Sequence, residues 1–345
     1  MILLNPGPAN TTETVKRAMT RPDICPRERE FGDVMERVRD GVTRVVTSRS
    51  HDYTSVLFGG SGTAAVEAAI ASAVPANGRL LVIDNGSYGA RMASIAAAYG
   101  IRCEVEGFGV GGFPDVERVA ARIKQAENAG ERFTQLAVVH HETSTGMLNP
   151  VDQLGVLCQD HDIEMLVDAM SSYAGIPIDI ERMGASFLMS SSNKCIQGMA
   201  GLGFVICKRE RVEQMKHVPG RSYYLSMAAQ HRFFEREHQM QFTPPVQVVY
   251  ALEQALIEYE AEGGAARHAR YMACWEALDG GSGRSGSADF CPRLYSRGSS
   301  PPTLSPITRA TASTTCTIDS TRRVSPSIPA RAPTAPRSGS QIWVP

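Results

Sequence analysis

Short runs that are apolar at every position recur along the body of the chain. Leu80-Leu-Val-Ile83, Leu136-Ala-Val-Val139, Met165-Leu-Val167 and Phe204-Val-Ile206 have this form, and Phe187-Leu-Met189 is a weaker instance. Runs this short with no polar face suit strands covered on both sides, so each is predicted as a strand of a buried sheet. Helical patterns lie between them. Thr63 to Ala73 is Ala-rich, Val151 to His161 sets Val151, Leu154, Leu157 and Cys158 on one face, and Asp115 to Ala129 starts just after Pro114. Strand and helix in alternation predict an α/β fold built on a mostly parallel sheet flanked by helices. Ligands of such folds bind outside the carboxyl ends of the strands, which directs the search for chemistry to those ends.

Five signals sit there. Gly59-Gly-Ser-Gly-Thr63 opens a helix, and its small residues let backbone N–H groups approach a phosphate; a plain glycine turn is the alternative, since the P-loop Lys is absent. Asp84-Asn-Gly-Ser-Tyr88 places an aromatic ring just past a strand, where an ordinary turn is also possible. His141-Glu-Thr143-Ser-Thr-Gly146 follows the next strand with a cluster of hydroxyls. Asp168 ends Met165-Leu-Val167, so an apolar strand delivers a carboxylate to the sheet edge. It serves either as the N-cap of a helix from Ala169 or as the anionic partner of a ring nitrogen or a metal. Lys194, in Ser190-Ser-Ser-Asn-Lys194-Cys-Ile-Gln-Gly198, sits among small and polar residues where a solvated surface Lys is the plain reading. A lysine near other cations loses proton affinity and becomes able to form a Schiff base. Taken jointly, a phosphate cradle, an aromatic plate, a carboxylate and an amine are what pyridoxal 5′-phosphate requires of a protein.

Composition divides the chain in two. Of 345 residues, 35 are Lys or Arg and 36 Asp or Glu, a net charge of −1. Residues 281–345 carry 8 Arg, no Lys, 2 Asp and no Glu, a charge of +6, leaving 27 basic and 34 acidic residues, or −7, in 1–280. Ser, Pro, Thr and Arg make up 38 of those 65 residues, a composition too poor in apolar groups to offset chain entropy and expected to be disordered. The acidic body argues against nucleic-acid binding, and no apolar run reaches membrane-spanning length. The opening Met1-Ile-Leu-Leu-Asn-Pro-Gly-Pro8 lacks the basic region of a signal peptide, and the eight cysteines show no C-x-x-C spacing, so a cytoplasmic protein with reduced thiols is expected.

The chain resembles the class V branch of the fold-type I pyridoxal-phosphate aminotransferases. The likeness is carried by Leu4-Asn-Pro-Gly-Pro8, Gly60-Ser-Gly-Thr63, Asn85-Gly-Ser-Tyr-Gly-Ala-Arg91, Gly146-Met-Leu-Asn-Pro150, Val167-Asp-Ala-Met-Ser-Ser172 and Ser192-Asn-Lys-Cys-Ile-Gln-Gly198, with Thr243-Pro-Pro245 and Glu262-Gly-Gly264 extending it. The resemblance implies Lys194 as the Schiff-base lysine and proton shuttle, and Asp168 as partner of the pyridine nitrogen. It implies Ser61, Gly62 and Thr63 around the phosphate with Asn193 beside it, Tyr88 stacked on the ring and Thr143 on its phenolic side. Thr243 would reach the phosphate of a neighbouring subunit's cofactor, which implies a homodimer. The implied reaction is a ping-pong transamination with 2-aminoethylphosphonate and pyruvate as substrates; alanine–glyoxylate or serine–pyruvate transamination is the alternative. Both substrates are anionic, and Arg27 and Arg91 are candidates to bind them, with an ordinary surface role open for each.

The division expected is a cofactor-binding large domain over 1–250, the start of a small α+β domain over 251–280, and a non-native tail over 281–345. The family closes its small domain with a carboxylate-binding Arg, in a stretch resembling I-Y-P-G-K followed by F-R-I, and the tail contains neither. The body uses 22 Arg against 5 Lys, as GC-rich coding DNA does, and out-of-frame reading of such DNA yields Ser, Arg, Pro, Thr and Ala. Read one base earlier with free choice of synonymous codons, Val324–Pro345 permits a 22-codon string containing both I-Y-P-G-K and F-R-I. The expectation is a frame that slips near Gly280–Gly283, giving weak or absent turnover and poor solubility with cofactor binding retained; an inactive truncated product is the alternative to an active enzyme. Sequencing the coding DNA decides it, and an intact frame overturns it.

Overall fold

A computed structural model describes residues 3, 5–215 and 220–282, with side chains described as far as 277. The tail and the expected frame change therefore lie outside the described residues, apart from the first two positions of the tail. In chain order the elements are α1 (Glu13–Ala18), α2 (Arg29–Arg44), β1 (Tyr53–Gly60), α3 (Gly62–Ala73), β2 (Arg79–Asp84), α4 (Ser87–Ala98) and β3 (Arg102–Gly107). There follow α5 (Val116–Asn128), β4 (Gln135–Val139), β5 (His141–Glu142), β6 (Met147–Leu148), α6 (Val151–Asp160), β7 (Glu164–Asp168), β8 (Ala185–Ser191) and β9 (Gly201–Lys208). The last are α7 (Arg209–Gln214), α8 (Met227–Glu237), α9 (Val246–Glu262) and α10 (Gly264–Ser282).

Seven strands form one sheet in the order β1-β9-β8-β7-β4-β2-β3. Neighbours from β8 to β3 are parallel, and only β9 runs against both of its neighbours. Register aligns Val139 with Asp168 and Asp168 with Met189, so the carboxyl ends of β4, β7 and β8 arrive at one edge together. The apolar runs predict the central strands because those strands are covered on both faces: Leu136, Ala137, Val138, Leu166, Val167, Leu188 and Met189 are all inaccessible. Each such Val or Leu contributes about 1.5–3 kcal/mol by burial. Helix α3 lies across β1, β8 and β9, α4 across β2, β3 and β4, and α6 against β7. The small side chains of α3 let it sit close: Ala65, Ala68, Ala69 and Ile70 are inaccessible.

The outer elements differ from the simple pattern. Strand β3 carries Arg102, Glu104 and Glu106 and exposes Val105, as edge strands do, and so it lacked a continuous apolar signal. Strand β1 interleaves Thr54 and Ser55 with its apolar residues, yet is buried because α2 covers it with Phe31, Val34, Met35, Val38 and Val42. No helix begins at Ala169; the chain turns there, and Asp168 caps only that turn. Among the described cysteines none is paired; Cys158, Cys195 and Cys207 are buried, whereas Cys25 and Cys274 are exposed. Among the described residues no helix is long and apolar enough to cross a membrane.

Candidate active site

A cavity of about 410 Å³ opens at the carboxyl edge of the sheet. Its walls come from the β1–α3 turn (Gly60 to Thr63), the first turns of α4 (Tyr88, Arg91), the end of β7 (Asp168, Met170, Ser171) and the β8–β9 connection (Asn193, Lys194, Gly201). Residues up to 141 positions apart in sequence meet there because parallel strands bring their carboxyl ends to one side.

Asp168 is 4 % exposed, and its Oδ1 accepts one N–H, from Met170 at 2.9 Å. Burial pushes its carboxyl up to about 6; the Met170 N–H opposes that, the nearby Glu142 charge adds to it, and the Arg91 and Lys194 charges relieve it in part. The histidines behind the strand ends do not help, since burial holds His140 down to about 3 and His141 down to about 4, leaving both neutral. Asp168 is therefore a buried carboxyl aimed at a cavity with its charge incompletely balanced by its own chain. Lys194 shares that cavity, and burial lowers its proton affinity, with Arg91 adding to the effect while Cys195 and Asp168 oppose it. Among the described residues no group of three or more His, Cys, Asp and Glu is placed to hold a metal ion.

Ser61 stands at the N-cap of α3 without making a side-chain cap bond, so the first turn of that helix faces the cavity with its dipole positive. Gly62 packs closely: a Cβ there would come within 2.5 Å of Met170 Sδ and push that side chain aside. Tyr88 is half-buried, with the Arg91 guanidinium 4.7 Å from its ring centroid and Arg91 Nη1 3.4 Å from Thr63 Oγ1. Asn193 accepts a hydrogen bond from the Ser191 hydroxyl at 2.9 Å, and its carbonyl accepts the Ala9 N–H at 2.9 Å.

The remaining sequence candidates fall elsewhere. Thr143 is hydrogen-bonded to Ser171 just behind the cavity wall. Thr243 is exposed and outside the lining. Arg27 is also outside it: its guanidinium donates to the Met240 and Gln241 carbonyls at 2.6 and 3.1 Å.

Two residues of the site went unrecognised in the sequence. A Cβ on Gly7, which has φ +155°, would collide with Lys194 Nζ and lie 2.6 Å from its Cδ, so the Asn5-Pro-Gly-Pro8 segment lies directly on the amine. Glu142 is inaccessible and accepts N–H groups from Tyr88 at 3.1 Å, Gly89 at 3.4 Å and Ser144 at 3.1 Å, which ties the ring plate to the Thr143 loop. The repeated proline–glycine motif and a lone carboxylate just past a strand were the only available signals.

A family model described as aminotransferase class-V matches residues 12–277 and so ends ahead of the compositional break. The chain is 47 % identical over 274 residues to the 2-aminoethylphosphonate–pyruvate transaminase of Syntrophobacter fumaroxidans, covering 78 % of this chain and 71 % of that one. It is 44 % identical over 283 residues to the enzyme of the same name from Vibrio vulnificus, covering 81 % and 75 %. Among solved structures, the alanine–glyoxylate aminotransferase of Nostoc sp. superposes with a TM-score of 0.74 at 27 % identity, covering 80 % of this chain and 72 % of that one. The pyridoxamine–pyruvate aminotransferase of Mesorhizobium loti gives 0.72 at 26 % identity, covering 82 % and 71 %.

Proposed function

The chain belongs to the aminotransferase class-V family, and from that membership we propose that it transfers the amino group of 2-aminoethylphosphonate to pyruvate, forming phosphonoacetaldehyde and L-alanine, with pyridoxal 5′-phosphate as cofactor. Its fold is that of the fold-type I pyridoxal-phosphate aminotransferases. The observation that carries the cofactor reading is the pairing, in one cavity, of an underbalanced buried carboxyl with a proton-poor amine. Donor and acceptor follow the relatives at 47 % and 44 % identity, which share more of this sequence than the alanine–glyoxylate enzyme does at 27 %.

The residues present fit that cofactor. The Asp168 carboxyl, only partly relieved by the Arg91 and Lys194 charges, would be matched by a protonated ring nitrogen, and the open N-terminus of α3 suits a phosphate. Ser61, Gly62 and Thr63 would bind the phosphate with Asn193 beside them, Tyr88 would stack on the ring, and Thr143 would face its phenolic oxygen. When bound, pyridoxal phosphate supplies an aldehyde that takes up amines and a ring that withdraws electrons from the adjacent C–H bond. Lys194 is the amine this chain offers, and its lowered proton affinity raises the fraction that is nucleophilic near neutral pH. With the cofactor bound and the substrate in place, Nζ of Lys194 would be the base that takes the proton from the donor's amine-bearing carbon and holds it for transfer onward. Arg91, the cavity's exposed guanidinium, would meet the anionic end of the substrates. The reading includes a homodimer, with Thr243 reaching the partner's cofactor, and a cytoplasmic location.

The test is a donor and acceptor screen on the purified protein loaded with pyridoxal phosphate. Single-turnover formation of phosphonoacetaldehyde from 2-aminoethylphosphonate, faster than turnover of alanine or serine, is the expected result. Preference for alanine with glyoxylate, or serine with pyruvate, would replace the substrate assignment and keep the cofactor.

A further inference from the structure

Residues 194–197 form a tight turn in which the Gln197 N–H donates to the Lys194 carbonyl at 2.8 Å and Gln197 takes φ +67°. A non-glycine residue in that region is strained and stays there only when its surroundings hold it. What holds it comes from α10. Arg267, 2 % exposed, donates from Nη1 to the Cys195 carbonyl at 3.1 Å and to the Ile196 carbonyl at 3.3 Å. The hydroxyl of Tyr271, one helical turn on, accepts from Gln197 Nε2 at 2.9 Å.

The guanidinium is itself located by the turn that precedes it. Glu262 Oε2 accepts from Arg267 Nε at 2.7 Å, and the Tyr259 ring centroid lies 5.1 Å from the guanidinium carbon. Gly263 has φ +81°, which favours glycine, and a Cβ on Gly264 would come within 2.5 Å of Tyr259 Oη, so a side chain at Gly264 would displace the Tyr259 ring from Arg267. Hydrogen bonds from Arg270 and Arg267 hold the Glu262 carboxyl down to about 2, so it stays charged opposite the buried cation across the neutral range.

We propose that Arg267, fixed by Glu262 and Tyr259, is the positioning residue that sets the Lys194 amine by gripping the Cys195 and Ile196 carbonyls. It touches neither cavity nor substrate and acts through the backbone of the turn that carries the lysine. The proposal rests on the assignment of Lys194 as the cofactor-bearing amine. The Glu262-Gly-Gly264 motif then has a function at the site although it lies 68 or more positions from Lys194.

Reductive trapping of pyridoxal 5′-phosphate with borohydride, followed by peptide mapping and titration of the cofactor, separates the two ideas. The unaltered protein should be labelled at Lys194; if it is not, the cofactor assignment fails and the clamp falls with it. Arg267→Met keeps the stem over Tyr259 but loses the grip. It should lower the melting temperature of the cofactor-free protein, since the Cys195 and Ile196 carbonyls lose their donor, and beyond that it should weaken capture at Lys194 by about 10- to 100-fold per folded molecule. Arg267→Lys, able to reach one carbonyl, should recover part of that loss. Labelling of Lys194 with unchanged affinity in both variants overturns the proposal, as does a drop in stability with unchanged affinity, which would make Arg267 a strut only. If Arg267→Met does not fold, the same comparison on Arg267→Lys decides.

Discussion

Arg39 and Asp168 are each 4 % exposed, yet the regions around them are built on opposite terms. At the junction of α2, β1 and α8, Arg39 donates to Glu36 and Glu235 at 2.7 Å, to the Thr54 hydroxyl at 2.9 Å and to the Ser55 carbonyl at 3.3 Å, and lies 4.5 Å from the Phe234 ring centroid. At the carboxyl edge of the sheet, Asp168 has a single N–H within hydrogen-bonding distance, and its carboxyl rises to about 6. A buried charge supplied with partners by its own chain belongs to the scaffold. One left short of partners and facing a cavity is held for a ligand, and its cost is borne until the ligand arrives.

The sharpest test of that contrast is Lys194→Ala. Loss of the amine should abolish borohydride-trapped cofactor and remove the proton-transfer contribution, about 10²- to 10⁴-fold in turnover, with little change in unfolding free energy; cofactor still trapped in this variant would refute the Lys194 assignment. Arg39→Met should do the reverse. It leaves the buried Thr54 hydroxyl and Ser55 carbonyl without their donor, costs about 1–3 kcal/mol in urea unfolding, and should leave cofactor affinity per folded molecule unaltered.

Asp168→Asn should stabilise the cofactor-free protein, and the sign follows from the direction of its shift. The folded carboxyl has its pKa raised from 3.8 to about 6, so its contribution is fully present below about pH 4 and is lost as pH rises through 6. Above pH 6 the Asn variant, with no charge to bury, should exceed the unaltered protein by about 3 kcal/mol, a difference that vanishes below pH 4, while its cofactor affinity falls. Equal stability of the two across that range would show that Asp168 is balanced after all. The smallest effect is expected of Gly7→Ala. Its positive φ and the contact with Lys194 should cost about 1 kcal/mol and weaken cofactor capture, measurable by titration; unchanged capture would separate the N-terminal segment from the amine.

Strands β2, β4, β7, β8 and β9 were legible because burial on both faces demands uninterrupted apolar runs. Strand β3 was not, since its position at the sheet edge allows Arg102, Glu104 and Glu106 to be solvated or paired. At the site, Asp168, Lys194 and the Gly60–Thr63 turn were legible because a polar or small residue placed just after an apolar strand departs from the local pattern. Glu142, Gly7 and Arg267 were not, because what each does depends on a contact with a segment far away in the chain. For Arg27 the sequence offered only a charge, and the fold alone shows its guanidinium on the Met240 and Gln241 carbonyls.

Local pattern by itself determined the alternation of buried strands with helices, and with it the edge of the sheet where chemistry had to be. Periodicity and residue size act over a few neighbouring positions, so they are written directly in the order of the residues. Which charges would be compensated was decided only by the tertiary structure. Burial and partner distance depend on where distant segments finally pack, and those quantities separate Asp168, left open toward a cavity, from Arg39 and Arg267, closed within the scaffold.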